Sequence, residues 1–304
     1  MSRIFIVLVI LAIAVWIFFP RPKNPYGRET YILVSDPMIV ASWSLSDRTL
    51  TLISFPSDIL AEGTHGYGTY SLAAFWRLGE IDKKDGTVLA ESMSEALGIP
   101  VDGYIGPRTG EFTYGTDALV AAKSTFSFKN VFGILGGTYR TNIPLGVFIN
   151  LAWRLNFSRP DRVSAYDFTQ NSATVAGNSV LPDGSTVQIL DPQRLDAQLN
   201  TVFEDETVRR ESVTVAIYNT TSMPSLGNRV GRLLTNLGVS VVTVGNDTPE
   251  VDTCTVAGSD TALKSKSANV IVSVLGCKRV VGDTNRADLI IRIGKTYAKR
   301  FLPN

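Results

Sequence analysis

From Ile4 to Phe19 every residue of this chain is apolar, with Arg3 before the run and Arg21 and Lys23 after it. A stretch like that has few ways to fold. A bilayer core takes about 20 apolar residues, roughly 17 to 25, so the run is slightly short for a spanning helix. It would also serve as the core of a signal peptide, but those end in small residues, and the exit here is Trp16, Phe18, Phe19 and Pro20. Bulky aromatics at that point suit the headgroup zone of a retained anchor. A helix buried in a globular core is the third option, and the lack of any polar face argues against it. The sequence therefore predicts a transmembrane anchor over residues 1–20. Basic residues on both flanks leave its orientation undecided.

The rest of the chain has an ordinary folded composition and is long enough for two domains. Its 29 Lys and Arg nearly balance 28 Asp and Glu, for a net charge of +1. Nucleic-acid binders show a basic excess or a basic stripe, so direct DNA contact is disfavoured. The single histidine, His65, gives a Ser-His-Asp triad or a His-rich metal site little to work with. Cys254 and Cys277 have no neighbouring His or Cys to complete a zinc site. They are either two separately buried thiols or, in an exported chain, a disulfide.

Proline and glycine punctuate the segment from Pro20 to Arg28, which predicts a tether over 21–29. Two β-rich runs, Met38 to Ser44 and Thr49 to Phe55, flank Ser46, Asp47 and Arg48 and predict a hairpin. Helical spacing runs from Thr87 to Leu97, closed by Gly98. Thr116 and Asp117 suit the start of a helix to Lys123, and Asn142 the start of one from Pro144 to Asn156. A second hairpin is expected from Val175 to Leu190 around Pro182, Asp183 and Gly184. Together these predict a layered α/β domain over 30–190. A polar linker helix follows over 191–212, then a small α/β domain over 213–304. In that domain Val213 to Tyr218 reads as a strand, and Ser222 as the cap of a helix with Leu226, Val230, Leu233, Leu234 and Leu237 on one face. Val239 to Val244 and Leu289 to Ile293 read as further strands.

The segments VTVAIYNTTSMPSLGNRVGRLL, LGVSVVTVGN and ADLIIRIGKTY resemble the C-terminal domain of LytR-CpsA-Psr (LCP) envelope proteins, over roughly Val213 to Tyr297. Thr220 stands where that pattern has Gly. DPMIVASWSLSDRTLTLISFPSD resembles the opening of the family's catalytic domain, and the likeness runs on loosely through EIDKKDGTVLAESMSEALGIPVDGYIG. Asp36 falls on the family's first Asp, and Ser54 to Asp58 on its Ser-Ile-Pro-Arg-Asp motif. The resemblance implies an anchored, extracytoplasmic protein of the cell membrane that transfers a polyprenyl-(pyro)phosphate-linked glycopolymer to peptidoglycan. It further implies a magnesium ion held by Asp36 and Asp58, with Asp58 as the catalytic carboxylate.

One departure bears directly on that chemistry. Ser57 stands where the motif has Arg, and Arg108, Arg140, Arg154, Arg159 and Arg162 do not reproduce the family's later arginine pattern. A hydroxyl does not replace a guanidinium in gripping a pyrophosphate. Either other arginines rebuild the pocket, or the domain is a non-catalytic scaffold for envelope glycopolymer or proteins, with Asp36 and Asp58 as turn and strand-end residues. The loop GTHGYGTY lacks the lysine and spacing of a P-loop and reads as an ordinary flexible loop with His65 exposed. Tyr67 and Tyr70 read as aromatic packing.

Overall fold

Three successive strands, β1 (Arg28–Leu33), β2 (Met38–Ser44) and β3 (Leu50–Phe55), are buried at every position. That is why their apolar residues alternate so poorly, since a sheet covered on both faces has no solvent side to keep polar. Period 2 survives in what each residue touches. Ile32, Val34, Met38, Val40, Ile53 and Phe55 belong to one core, and Tyr31, Leu33, Ile39, Ala41, Leu50 and Leu52 to another. The computed structural model describes residues 26–108, 117–180, 184–282, 284 and 286–302. The apolar run Ile4–Phe19, Thr116, Pro182 and Asp183 lie outside them. Among the described residues no helix is long and apolar enough to cross a membrane.

The chain continues through β4 (Leu60–Glu62), β5 (Thr69–Ser71), α1 (Leu72–Ile81), α2 (Thr87–Leu97) and β6 (Gly103–Pro107). Next come α3 (Ala118–Thr125), α4 (Phe128–Leu135), β7 (Tyr139–Thr141), α5 (Leu145–Asn156) and β8 (Val163–Asp167). The hairpin of β9 (Ala176–Val180) and β10 (Thr186–Leu190) then leads to α6 (Pro192–Leu199) and α7 (Glu206–Glu211). A six-stranded sheet has the order β7-β6-β1-β2-β3-β8, and a four-stranded sheet the order β5-β4-β10-β9. The first core joins the large sheet to α1, α2 and the small sheet through Phe75, Trp76, Met93 and Leu190. The second lies under α3 and α5, through Ala122, Phe148, Leu151 and Leu155. This is the layered α/β domain expected.

The C-terminal unit adds β11 (Thr214–Asn219), α8 (Leu226–Asn236), β12 (Ser240–Asn246), β13 (Thr255–Gly258), α9 (Lys266–Leu275), β14 (Lys278–Val281), β15 (Leu289–Ile293) and the short α10 (Lys295–Ala298). Its sheet order is β12-β11-β15-β13-β14. Cys254 and Cys277, which precede the parallel neighbours β13 and β14, are joined by a disulfide. At the Asn-Thr-Thr turn after β11, Asn219 Oδ1 accepts from the Thr221 N–H at 3.0 Å. Thr220 there donates its hydroxyl to the Ile293 carbonyl at 2.7 Å, which ties the turn to β15.

The two units share a seam built around one arginine. Arg232 of α8 pairs with Asp196 of α6 at 2.7 Å and donates to the Glu95 and Ala96 carbonyls at 2.7 and 2.8 Å, closing the C-terminal turn of α2. Tyr26 sits in the C-terminal core while its hydroxyl donates to Asp102 of the first unit at 2.9 Å.

Four local expectations are corrected. The tether expected over 21–29 does not take in Tyr26 to Glu29, since Tyr26 is buried and Arg28 and Glu29 already belong to β1. Pro144, not Asn142, precedes α5, because the Asn142 side-chain Oδ1 accepts from the Tyr104 N–H at 2.9 Å and serves β6 instead. Ser225, at φ 60°, rather than Ser222, occupies the cap position of α8 without a side-chain bond, since the turn tied down at Asn219 delays the helix. His65 is not exposed: its side chain is 16% accessible, with Nε2 2.5 Å from Glu91 Oε2, and its backbone N–H donates to the Arg300 carbonyl at 3.0 Å.

Candidate functional site

Asp36 lies between β1 and β2, and the pairing of Met38 with Phe55 brings it beside the segment that follows β3. There the Ser57 hydroxyl donates to Asp36 Oδ1 at 3.0 Å. The residue that replaces the motif arginine therefore makes a neutral hydrogen bond to the carboxylate. Ser57 is itself held by its carbonyl, which accepts from the Ala73 N–H at 2.9 Å at the start of α1. Asp58 follows, exposed to solvent.

Asp36 opens onto a cleft of about 690 Å³ that runs along β8, from Pro160 and Val163 at its start to Asp167 at its end, and reaches Ser54 and Pro56 at the end of β3. Ser54 and Pro56 line one side, Asp117 and Leu119 of the α3 start a second, and Ala165, Tyr166 and Asp167 of β8 a third. Asp58 is not among the lining residues. Asp117 Oδ1 caps α3, accepting from the Leu119 and Val120 N–H groups at 2.8 and 3.0 Å. Asp167 Oδ1 accepts from the N–H and hydroxyl of Thr169 at 2.9 and 2.7 Å. Three carboxylates thus face the cleft, and among the described residues no Arg or Lys lines it. Among the described residues no three His, Cys, Asp or Glu side chains gather closely enough to hold a metal ion. A magnesium ion on Asp36 would draw most of its six ligands from water and from substrate phosphate, a common arrangement for that ion.

The arginines lie elsewhere. Arg140 bridges Asp85 and Glu80 at 2.9 and 3.4 Å, and Arg108 reaches the Gly137 carbonyl at 3.4 Å. Arg154, Arg159 and Arg162 gather with Arg48 at the other end of β3 and β8, where Leu50 pairs with Val163. Four residues of strand separate that pair from the pairing of Ser54 with Asp167, about 13 Å at 3.3 Å per residue. Of the expected site residues, then, the fold brings Asp36 and Ser57 into contact and leaves the arginines across the sheet. Asp117 and Asp167 were not anticipated as lining residues. Asp117 carries only a cap signal, and Asp167 reaches the cleft through a parallel pairing that spacing along the chain does not encode. Tyr67 donates its hydroxyl to Asp82, and Tyr70 lies edge-on to Phe75 with ring centroids 6.1 Å apart, so neither faces the cleft.

Residues 212–297 match the model of the family described as LytR cell envelope-related transcriptional attenuator, which spans nearly the whole C-terminal unit. The chain therefore carries a LytR-type C-terminal domain, as the resemblance over Val213 to Tyr297 implied. No curated protein matches the chain. Solved structures similar to it include the transcriptional regulator yvhJ from Bacillus subtilis, 14% identical, covering 58% of this chain and 94% of that one with a TM-score of 0.40. The Lin1025 protein from Listeria innocua is 12% identical, with 58% and 97% covered and a TM-score of 0.40. The LytR-CPS2A-psr family protein YwtF (TagT), solved with bound octaprenyl pyrophosphate lipid, is 14% identical, with 58% and 90% covered and a TM-score of 0.37.

Proposed function

We propose that this chain is a membrane-anchored cell-envelope protein of the LytR-CpsA-Psr type, descended from transferases of polyprenyl-linked glycopolymer and now a non-catalytic scaffold that holds envelope glycopolymer or partner proteins. Its C-terminal portion lies outside the cell membrane, against the bilayer and peptidoglycan. The LytR-type domain at 212–297 and the Cys254–Cys277 disulfide support this placement, the latter because such bonds persist in oxidising compartments. The observation that carries the loss of catalysis is the lining of the Asp36 cleft, with three carboxylates and, among the described residues, no basic side chain. A pyrophosphate entering it meets like charge on every side, where phosphoryl transfer requires charge neutralisation.

The hydrogen bond from Ser57 to Asp36 favours a second reading, a transferase that relies on magnesium alone. Magnesium, when bound, would supply the charge neutralisation that the motif arginine otherwise gives. In that reading Asp36 holds the ion, and the exposed Asp58 takes the proton of the incoming hydroxyl.

The test is to incubate the full chain in nanodiscs with polyprenyl pyrophosphate, with and without magnesium, and to follow binding and phosphate release. The scaffold reading expects no release in either condition. Magnesium-dependent release that disappears in Asp58→Ala overturns it in favour of the transferase. Binding without release assigns the scaffold a lipid-linked ligand, and neither result directs attention to protein partners.

A further inference from the structure

At the end of the large sheet away from Asp36, an open cleft of about 480 Å³ is lined by Arg48, Arg154, Arg159 and Arg162 together with Trp43, Trp153 and Phe157. Among the described residues no carboxylate lines it. Trp153 and Phe157 are 60% and 65% exposed, and their rings meet tilted at 37° with centroids 4.4 Å apart. Two large aromatics held together in water make an apolar patch of the kind that marks an interaction site. The arginines beside them divide by role. Arg154 is committed to Glu29 at 3.0 Å and lies over the Trp43 ring at 5.8 Å. Arg162 donates to the Asp47 carbonyl at 2.7 Å, which fixes it against the β2–β3 turn and leaves its charge exposed. Arg48 and Arg159 are exposed.

What this patch faces follows from where the described chain begins. The Leu45 N–H donates to the Gly27 carbonyl at 2.7 Å, and Arg28 pairs with Ser44, so the first described residues are fastened to the turn that carries Arg48. Tyr26 follows Phe19 by seven residues. Fully extended, those residues reach about 25 Å at 3.6 Å each. This inference rests on the anchor reading above. With Ile4–Phe19 in a bilayer, this end of the sheet stays within one short linker of the headgroups. Guanidinium groups bind phosphate bidentately, and indole and phenyl rings favour the membrane interface.

We propose that the surface of Arg48, Arg159, Arg162, Trp153 and Phe157 rests on the headgroup layer of the membrane that holds the anchor, with the guanidiniums on anionic phospholipid phosphates. Each basic side chain near an anionic surface is worth roughly a fivefold change in partition. The patch then sets the orientation of the whole chain on the membrane, with Asp36 held at the opposite end of the strands.

The experiment uses the full chain carrying Ser158→Cys, with the native disulfide oxidised, in nanodiscs of phosphatidylcholine alone or enriched in phosphatidylglycerol. The rate of modification of the introduced thiol by a soluble maleimide is measured in each. At least a fivefold slowing in the anionic nanodiscs is expected, and the double substitution Arg48→Glu with Arg159→Glu should return the rate to its phosphatidylcholine value. Equal rates in the two lipids overturn the proposal while leaving the anchor in place. The same slowing by inorganic phosphate added to phosphatidylcholine nanodiscs also overturns it, since the patch is then a soluble-phosphate site. Extraction of the chain from both nanodiscs at alkaline pH removes the anchor reading, and this inference with it.

Discussion

Gly79 and Gly231 are both glycines inside helices, and a methyl group added to each meets opposite surroundings. At Gly79 in α1 a Cβ would stand 1.7 Å from the Asp85 carbonyl oxygen, where the chain folds back so that the Lys84 N–H reaches the Gly79 carbonyl at 2.8 Å. Backbone cannot yield there without undoing the turn into α2. At Gly231 in α8 the new atom would lie 3.4 Å from Val244 Cγ2 and 3.7 Å from Ile217 Cδ1, ordinary contact distances. Gly79→Ala is therefore expected to destabilise the chain by about 3 kcal/mol, the upper range for overpacking. Gly231→Ala should stabilise it by about 0.5–1 kcal/mol, the helix-propensity difference. Urea unfolding of the two variants checks the pair, and two shifts of the same sign would refute the contrast. Site chemistry at this scale was partly legible. Once β2 and β3 are read as a hairpin, Asp36 must meet Ser57. The acid lining from Asp117 and Asp167 was not legible, because each carboxylate also does a local job, one capping α3 and the other closing a turn at Thr169.

Among elements, the C-terminal sheet offers the sharper tests. Where β11 and β15 begin, Asp288 Oδ2 accepts from the N–H and hydroxyl of Thr214 at 2.8 and 2.7 Å, fixing the register that pairs Val215 with Leu289. These bonds, the Thr214 N–H first, hold the Asp288 carboxyl below its ordinary 3.8. A carboxylate lowered on folding adds stability above its unfolded value and loses it as the pH falls through the folded one. Asp288→Asn should therefore lower the melting temperature at pH 7, and the deficit should shrink as the pH falls below the carboxyl's ordinary 3.8 and through its lowered folded value. A deficit that persists unchanged into acid would show that the carboxylate charge plays no part. The disulfide acts on the same sheet. Its partners lie 23 residues apart, and reduction without denaturant should destabilise this unit by about 3 kcal/mol, read as a lower midpoint in calorimetry with a phosphine reductant. Strands and helices whose faces differ in burial, such as α2 and β15, were legible with their boundaries. Boundaries settled by a distant partner were not: Asn142 is drawn away to Tyr104 and Arg28 is recruited into β1.

For the molecule as a whole, the seam decides whether two units behave as one. Arg232 is 21% exposed and Asp196 32%, and removing the guanidinium leaves the half-buried carboxylate with only its bond from Asn236 and takes a donor from the Glu95 and Ala96 carbonyls that end α2. Arg232→Ala should destabilise by about 2–3 kcal/mol, as for a partly desolvated ion pair that loses one member. Calorimetry should also resolve separate melting of the two units, and a single transition with unchanged midpoint would mean that the seam contributes nothing. The first strand carries a different consequence, one of timing. The Arg28 side chain donates to the Val202 carbonyl at 2.8 Å and lies over the Phe203 ring, while Tyr26 is seated in the core formed with Val208 and Leu233. A ribosome delivers residues 26 and 28 first and their partners only after some 170 more have been made. The opening strand thus leaves the ribosome early and completes its burial late, so the N-terminal unit cannot finish folding as an independent nascent domain.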